Sequence, residues 1–139
     1  MYSKILFATD LSNEHNHLSV KAAEFAKKMN ATLYLLHVIE LPTSIQVAQG
    51  LGFTELVKPV TDDAVTVLGL IGDSINVPRE HQFVEVGSVK EQIFNKVELL
   101  KCQLIIIGSH TPKGMPAFLG STAHATVNHA PCDVLTLRV

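Results

Sequence analysis

The sequence is poor in the features that mark membrane, redox and nucleic-acid-binding proteins. It has no apolar run long enough to cross a bilayer and no N-terminal apolar segment of signal-peptide length, which predicts a cytoplasmic protein. Its 11 Lys plus Arg against 13 Asp plus Glu leave a net charge of −2 without a basic run, which argues against nucleic-acid binding. Its two cysteines, Cys102 and Cys132, have no C-x-x-C neighbour, so core-lining thiols are favoured over redox or metal chemistry.

Enzyme and metal signatures are missing as well. The chain has no G-x-S-x-G nucleophile elbow, no G-x-x-x-x-G-K-[ST] phosphate loop and no G-x-G-x-x-G after its first predicted strand. Its seven histidines are badly spaced for a metal: His124 and His129 are five apart, beyond the three or four residues that share a helix face. We therefore expect no dedicated catalyst and no metal site.

The sequence does contain a regular alternation of apolar runs and amphipathic segments. Its 139 residues suffice for one domain, residues 1–139, with a sizeable core. Five apolar or β-branched runs predict strands at 4–8, 32–39, 82–86, 104–107 and 134–139. Four helices are predicted to begin near Ser12, Pro59, Ser88 and Gly120. The segment 41–53, which contains proline and glycine and little periodicity, is predicted to be a loop over the strand ends.

Two helix ends carry recognisable capping residues. Asn30 is suited to a left-handed cap after the first helix, and Ser88 with Glu91 forms a capping box before the third. These residues sharpen the predicted boundaries.

This alternation predicts an α/β fold, an open doubly wound parallel sheet with helices on both faces, similar to the Rossmann fold. In such sheets ligands bind beyond the carboxyl ends of the strands, where the strand order reverses. Thr9 and Asp10 follow the first strand, and Gly108 and His110 follow the fourth. We therefore expect these two strands to flank the binding site.

The stretch from Leu104 to Leu137 has the features of an anion site. A strand, a loop rich in Gly and Pro, a helix start and a second strand follow one another, so that backbone N–H groups and a helix N-terminus converge. Ser121 and Thr122 stand at the predicted helix N-terminus, where hydroxyl and N–H groups suit a phosphate. His110 could reach that phosphate or brace the loop.

Several segments, taken together and covering nearly the whole chain, resemble the universal stress protein family. They are YSKILFATDLS, ATLYLLHVIE, VGSVKEQI, LIIIGSH, LGST and HAPCDVL. The resemblance implies a five-stranded parallel sheet ordered 3-2-1-4-5. It also implies ATP or a related adenine nucleotide as ligand, with Mg²⁺ as an optional companion, and a homodimer joined through the C-terminal strand.

The same resemblance assigns the phosphate-binding residues. In nucleotide-binding members the pattern is G-x-x-G, nine residues, then G-[ST]. Gly108 matches the first glycine, and Gly120–Ser121 match the last pair, with Thr122 following. Thr111 stands where the second glycine is expected, and the stretch is one residue short. Gly114 is the glycine that a rearranged loop would use instead.

The resemblance also places Ala8, Thr9 and Asp10 under the nucleotide and the Val38 backbone at the adenine edge. The acidic residue would then lie near the ribose or a metal. Asp10 could equally be an N-cap or an Asx-turn for the first helix, and the sequence leaves both readings open.

The resemblance implies a nucleotide-responsive binding module of the stress response, in which the loop between Gly108 and Gly120 orders over the phosphates and changes a surface offered to a protein partner. Because of the altered loop, the alternative is a dimeric interaction protein that has lost nucleotide binding. Slow ATP hydrolysis is a third reading, for which no residue can be nominated as general base. No nucleic-acid or membrane partner is expected.

Overall fold

Five parallel strands form the centre of the fold in the computed structural model, which describes residues 1–12, 16–109 and 121–138. The strands are β1 (Lys4–Ala8), β2 (Thr32–Ile39), β3 (Gln82–Val86), β4 (Leu104–Ser109) and β5 (Asp133–Arg138). They pair in the order β3-β2-β1-β4-β5. This confirms the predicted sheet, and it puts the reversal of strand order between β1 and β4.

Helices connect successive strands and cover both faces of the sheet. They are α1 (Asn16–Lys28), α2 (Thr43–Gly50), α3 (Lys58–Ile75), α4 (Val89–Leu100) and α5 (Ser121–His129), with 3₁₀ turns at Thr54–Leu56 and Arg79–His81. None of the helices in the described ranges is long and apolar enough to cross a membrane.

Strict alternation along the strands divides the core into two clusters. Odd-numbered residues of β1 and β2 pack with α1 and α3, in a cluster that includes Phe7, Leu35, Leu18 and Leu68. Even-numbered residues pack with α4 and α5, in a second cluster that includes Leu6, Leu36, Ile93 and Ala123. The strands most enclosed by this double layer are β1 and β4, which is why their sequences read as unbroken apolar runs.

Two local predictions are wrong. The segment predicted as a loop at 41–53 contains α2, so at least five helices occur where four were expected; α2 has no buried residue, which removes the apolar periodicity that reveals a helix. Ser88 does precede α4, but its side chain makes no capping hydrogen bond. The first N–H of the helix, that of Val89, donates to the Glu40 carboxylate at 3.3 Å.

Other boundaries agree closely with the sequence. Asn30 adopts a positive φ of 54°, as the left-handed cap requires, and β3 lies at a sheet edge. Strand β4 continues through Gly108 to Ser109, two residues further than predicted. The first helix is predicted to begin near Ser12. The residues that follow, 13–15, lie outside the described part of the chain, so this start stays a prediction.

Candidate functional site

The carboxyl ends of β1 and β4 form a crevice at the point where the strand order reverses. Pairing between these strands ends at Phe7 with Ile106. Thr9 and Gly108 therefore each lie two residues beyond the last pair, on strands that have begun to separate. Gly108 still pairs with Leu137 of β5. Ligands of doubly wound sheets bind at this position.

The predicted site residues are only partly within the described ranges. Ala8, Thr9, Asp10, Val38, Gly108 and Thr122 are described, and Ser121 is described as the first residue of α5. His110, Thr111, Gly114 and Gly120 lie outside the described residues, so their predicted contacts with a phosphate stay predictions. Thr122 is exposed in the first turn of α5, where unpaired N–H groups are expected.

A tight turn follows β1. The Ser12 N–H donates to Asp10 Oδ1 at 2.8 Å, and the Leu11 N–H donates to Thr9 Oγ1 at 3.1 Å. Leu11 has a φ of 65°, a left-handed conformation that costs a residue with a Cβ about 1–2 kcal/mol. The two hydrogen bonds, together with the contact of Leu11 with the α1/α3 cluster, offset that cost. The Asx-turn reading of Asp10 is thus confirmed.

The backbone groups of Val38 are directed towards β1, at the same carboxyl edge of the sheet. The Thr9 N–H donates to the Leu36 carbonyl at 2.9 Å, whereas the Gly87 N–H donates to the Ile39 carbonyl at 3.0 Å. Even-numbered residues of β2 therefore present their backbone groups to β1, and odd-numbered residues present theirs to β3. Since β1 and β2 pair only as far as Ala8 with Leu36, the N–H and C=O of Val38 point past the end of that pairing.

His37 holds the turn after β1 against β2. Its Nδ1 lies 2.8 Å from the Thr9 carbonyl oxygen. Because a carbonyl only accepts, Nδ1 must carry the proton. The sequence alone does not assign His37 to the site. The one indication in the sequence is that His37 is a polar residue in an otherwise apolar strand.

A family model described as the universal stress protein family matches residues 1–138. The chain belongs to this family. Universal stress protein A homolog 2 of Coxiella burnetii, strain RSA 493, is 34% identical over an alignment of 140 residues that covers 99% of this chain and 96% of the relative.

Solved structures share the fold of this chain. The hypothetical protein MJ0577 superposes with a TM-score of 0.81 at 25% identity, covering 100% of this chain and 97% of that one. A universal stress protein in complex with cAMP superposes with a TM-score of 0.69 at 16% identity, covering 99% and 97%. At that identity the second likeness concerns the fold alone.

In this universal stress protein a cleft of about 600 Å³ lies beyond the carboxyl ends of β2 and β3. Gln46 and Gln49 of α2 line it together with Glu40 and Ser88. The segment predicted as a loop over the strand ends therefore does lie there, as a helix. Glu40, which holds the first N–H of α4, is a second residue that sequence reasoning missed, because its partner is far along the chain.

Across the described ranges, no group of three or more His, Cys, Asp or Glu side chains could hold a metal ion. The Asp10 carboxylate lies in the turn that follows β1, where its Oδ1 accepts from the Ser12 N–H.

Proposed function

We propose that this universal stress protein binds an adenine nucleotide in the crevice between the carboxyl ends of β1 and β4. The observation that carries the proposal is the Val38 peptide, whose donor and acceptor both point past the end of β1 from a residue that is only 9% exposed. Adenine presents an amino donor beside ring-nitrogen acceptors, so one peptide N–H and one C=O match its edge.

The phosphates would lie on the other side of the crevice. Ser121 and Thr122 begin α5, and a helix N-terminus attracts anions through its unpaired N–H groups and its dipole. The complex of a universal stress protein with cAMP supports this choice, since it is an adenine nucleotide held by a protein of this fold. If Mg²⁺ accompanies the phosphates, Asp10 is the residue we assign to it, because Mg²⁺ is usually held by phosphates and one or two carboxylates.

The proposed role is that of a nucleotide-responsive binding module in the stress response. The proposal keeps the expected single domain, cytoplasmic location and homodimeric state.

Nucleotide binding is tested by calorimetric titration of the purified protein with ATP and Mg²⁺, after mass spectrometry has shown that no nucleotide was carried through purification.

We expect micromolar binding that Gly120→Val abolishes, because the family pattern puts backbone against a phosphate at Gly120. Gly50→Val is the matched control, since a side chain at Gly50 would meet nothing within 4 Å. Absence of heat and of thermal stabilisation at millimolar ATP would instead favour the alternative, a dimeric interaction protein in which Thr111 and the shortened loop have closed the site. Release of ADP would identify the slow hydrolase.

The choice of base provides a further test of the Val38 peptide. Guanine carries an oxygen acceptor where adenine carries its amino donor, so GTP would oppose the Val38 groups with the wrong partners. We expect GTP to bind at least about tenfold more weakly than ATP, the value of one hydrogen bond of about 1.4 kcal/mol. Equal affinity for the two nucleotides would rule out recognition through this peptide.

A further inference from the structure

The hydrogen-bond ladder between β1 and β2 stops one bond short of what the length of β2 would allow. Its last bond runs from the Thr9 N–H to the Leu36 carbonyl. The next bond of a parallel ladder would run from the Val38 N–H to the Thr9 carbonyl. Pairing has stopped at Ala8 with Leu36, and the Thr9 carbonyl accepts from the His37 side chain instead.

There is a physical reason why the Thr9 carbonyl accepts from the His37 side chain and not from the Val38 N–H. Thr9 is 6% exposed, and a buried carbonyl requires a donor. Two donors are at hand on β2, the Val38 N–H and the imidazole of the residue before it. With Nδ1 at 2.8 Å, the imidazole supplies the hydrogen bond. The Thr9 carbonyl therefore does not need the Val38 N–H.

We propose that His37 is a positioning residue that keeps the Val38 N–H available to the nucleotide base. The inference rests on the proposed function for its ligand, but its structural step concerns only the apo protein. His37 occupies the acceptor on β1 with its side chain, so that the main-chain donor next to it is not drawn into the sheet. Without that side chain, the ladder would close by one more bond and bury the donor.

Two substitutions separate this role from a purely structural one. His37→Leu removes the donor, whereas His37→Asn retains one, because Asn Nδ2 is attached to Cγ as His Nδ1 is. In His37→Leu we expect the Val38 amide of the nucleotide-free protein to exchange with solvent about tenfold more slowly than in wild type. ATP affinity should fall about tenfold, as expected for one net hydrogen bond. His37→Asn should restore both values.

His81→Leu is the matched control. His81 is a half-buried histidine at the opposite edge of the sheet, where its ring lies 4.7 Å from that of Tyr34. The control should change neither Val38 exchange nor ATP affinity. In wild type, ¹⁵N spectra of the His37 ring should show the proton on Nδ1.

The outcomes separate the inference from the function on which it rests. If wild type does not bind millimolar ATP, the proposed function fails, and Val38 exchange in wild type and His37→Leu still decides the inference. Unchanged Val38 exchange in His37→Leu would overturn it, even with lost affinity, because the loss would then be structural. If the leucine variant does not fold, the wild type decides: a Val38 amide as protected as that of Leu36 in the apo protein overturns the inference.

Discussion

At the scale of single residues, the candidate site depends on main-chain groups more than on reactive side chains. The side chains of Thr9 and Asp10 accept hydrogen bonds within their own turn. The Val38 peptide is the group that we expect to meet the base. Residue types point to Thr9 and Asp10 in the sequence. A peptide group has no residue type, so Val38 is predicted only from the family resemblance, and the direction of its backbone groups follows only from the ladder register.

His37 shows that the role of a side chain can be as hard to predict from the sequence as the direction of a peptide group. Its presence in an apolar strand was visible, but its partner is a carbonyl 28 residues away that becomes adjacent only when β1 and β2 pair. Family resemblance marks positions that contact a ligand. It is silent on a residue that acts through a neighbour.

The two thiols should differ in reactivity. Burial raises the pKa of Cys102 to about 11 and also raises the pKa of the half-buried Cys132. Because the thiolate is the reactive form, both should react slowly with iodoacetamide near neutral pH and faster as the pH rises. Cys132 should react first, since Cys102 is only 6% exposed. Peptide mapping by mass spectrometry measures the order, and earlier labelling of Cys102 would contradict it.

At the scale of elements, two glycines let α3 pack against its surroundings. A Cβ at Gly72 would collide with the amide of Gln82 and lie 3.0 Å from the Val77 carbonyl oxygen. A Cβ at Gly69 would meet the guanidinium of Arg79, the end of a flexible and exposed side chain. Substitution by alanine should therefore be costly at Gly72 and tolerated at Gly69, three residues away.

We expect Gly72→Ala to destabilise the protein by about 1–3 kcal/mol, the usual range for overpacking. Gly69→Ala should be neutral or stabilise it by up to about 1 kcal/mol, because alanine is the better helix former. Urea unfolding of the two variants measures the difference. A Gly72→Ala protein as stable as wild type would show that Gln82 and its bond to the Val77 carbonyl yield without cost.

Elements with a buried face were predictable and those without one were not. Strands β1, β2 and β4 read directly from their apolar runs, since each is enclosed between helices. Helix α2 has no such face and was predicted as loop. The capping box before α4 is a sound local pattern, but the Ser88 side chain makes no capping bond, and Glu40, 49 residues before Val89 in the chain, accepts from the first N–H of the helix. A local sequence pattern cannot show a hydrogen-bond partner that only the tertiary structure brings close.

At the scale of the whole molecule, β5 is an edge strand, and its register with β4 determines which of its backbone groups point outward. Odd-numbered residues of β1 bond to β2, as the bond from the Thr9 N–H to the Leu36 carbonyl shows, so their partners on β4, Leu104 and Ile106, bond to β1. The odd-numbered residues of β4 therefore bond to β5. In β5, Leu135 and Leu137 point their N–H groups towards β4, whereas Val134 and Thr136 point theirs away from the sheet. An unpaired edge of this kind can pair with a second copy.

If the proposed homodimer forms through β5, the Val134 and Thr136 amides should be protected from exchange and light scattering should give twice 15.1 kDa. Amide exchange is the suitable measurement because Val134, Leu135 and Leu137 pack their side chains against the core, so substitutions there would destabilise the monomer as well. The Leu135 amide, which faces β4, is the internal control and should be protected in either state. Unprotected Val134 and Thr136 amides in a protein of monomer mass would exclude this dimer.

The order of the sheet also has a consequence for synthesis on the ribosome. Strand β1 is made first and is central, yet its partner β4 follows almost a hundred residues later, as the pairing of Ile5 with Leu104 shows. At about 5–20 residues per second, one side of β1 waits roughly 5–20 s for that partner. During this interval a nascent chain with β1, β2 and β3 carries an open apolar edge, which makes it a natural client for a chaperone until β4 arrives.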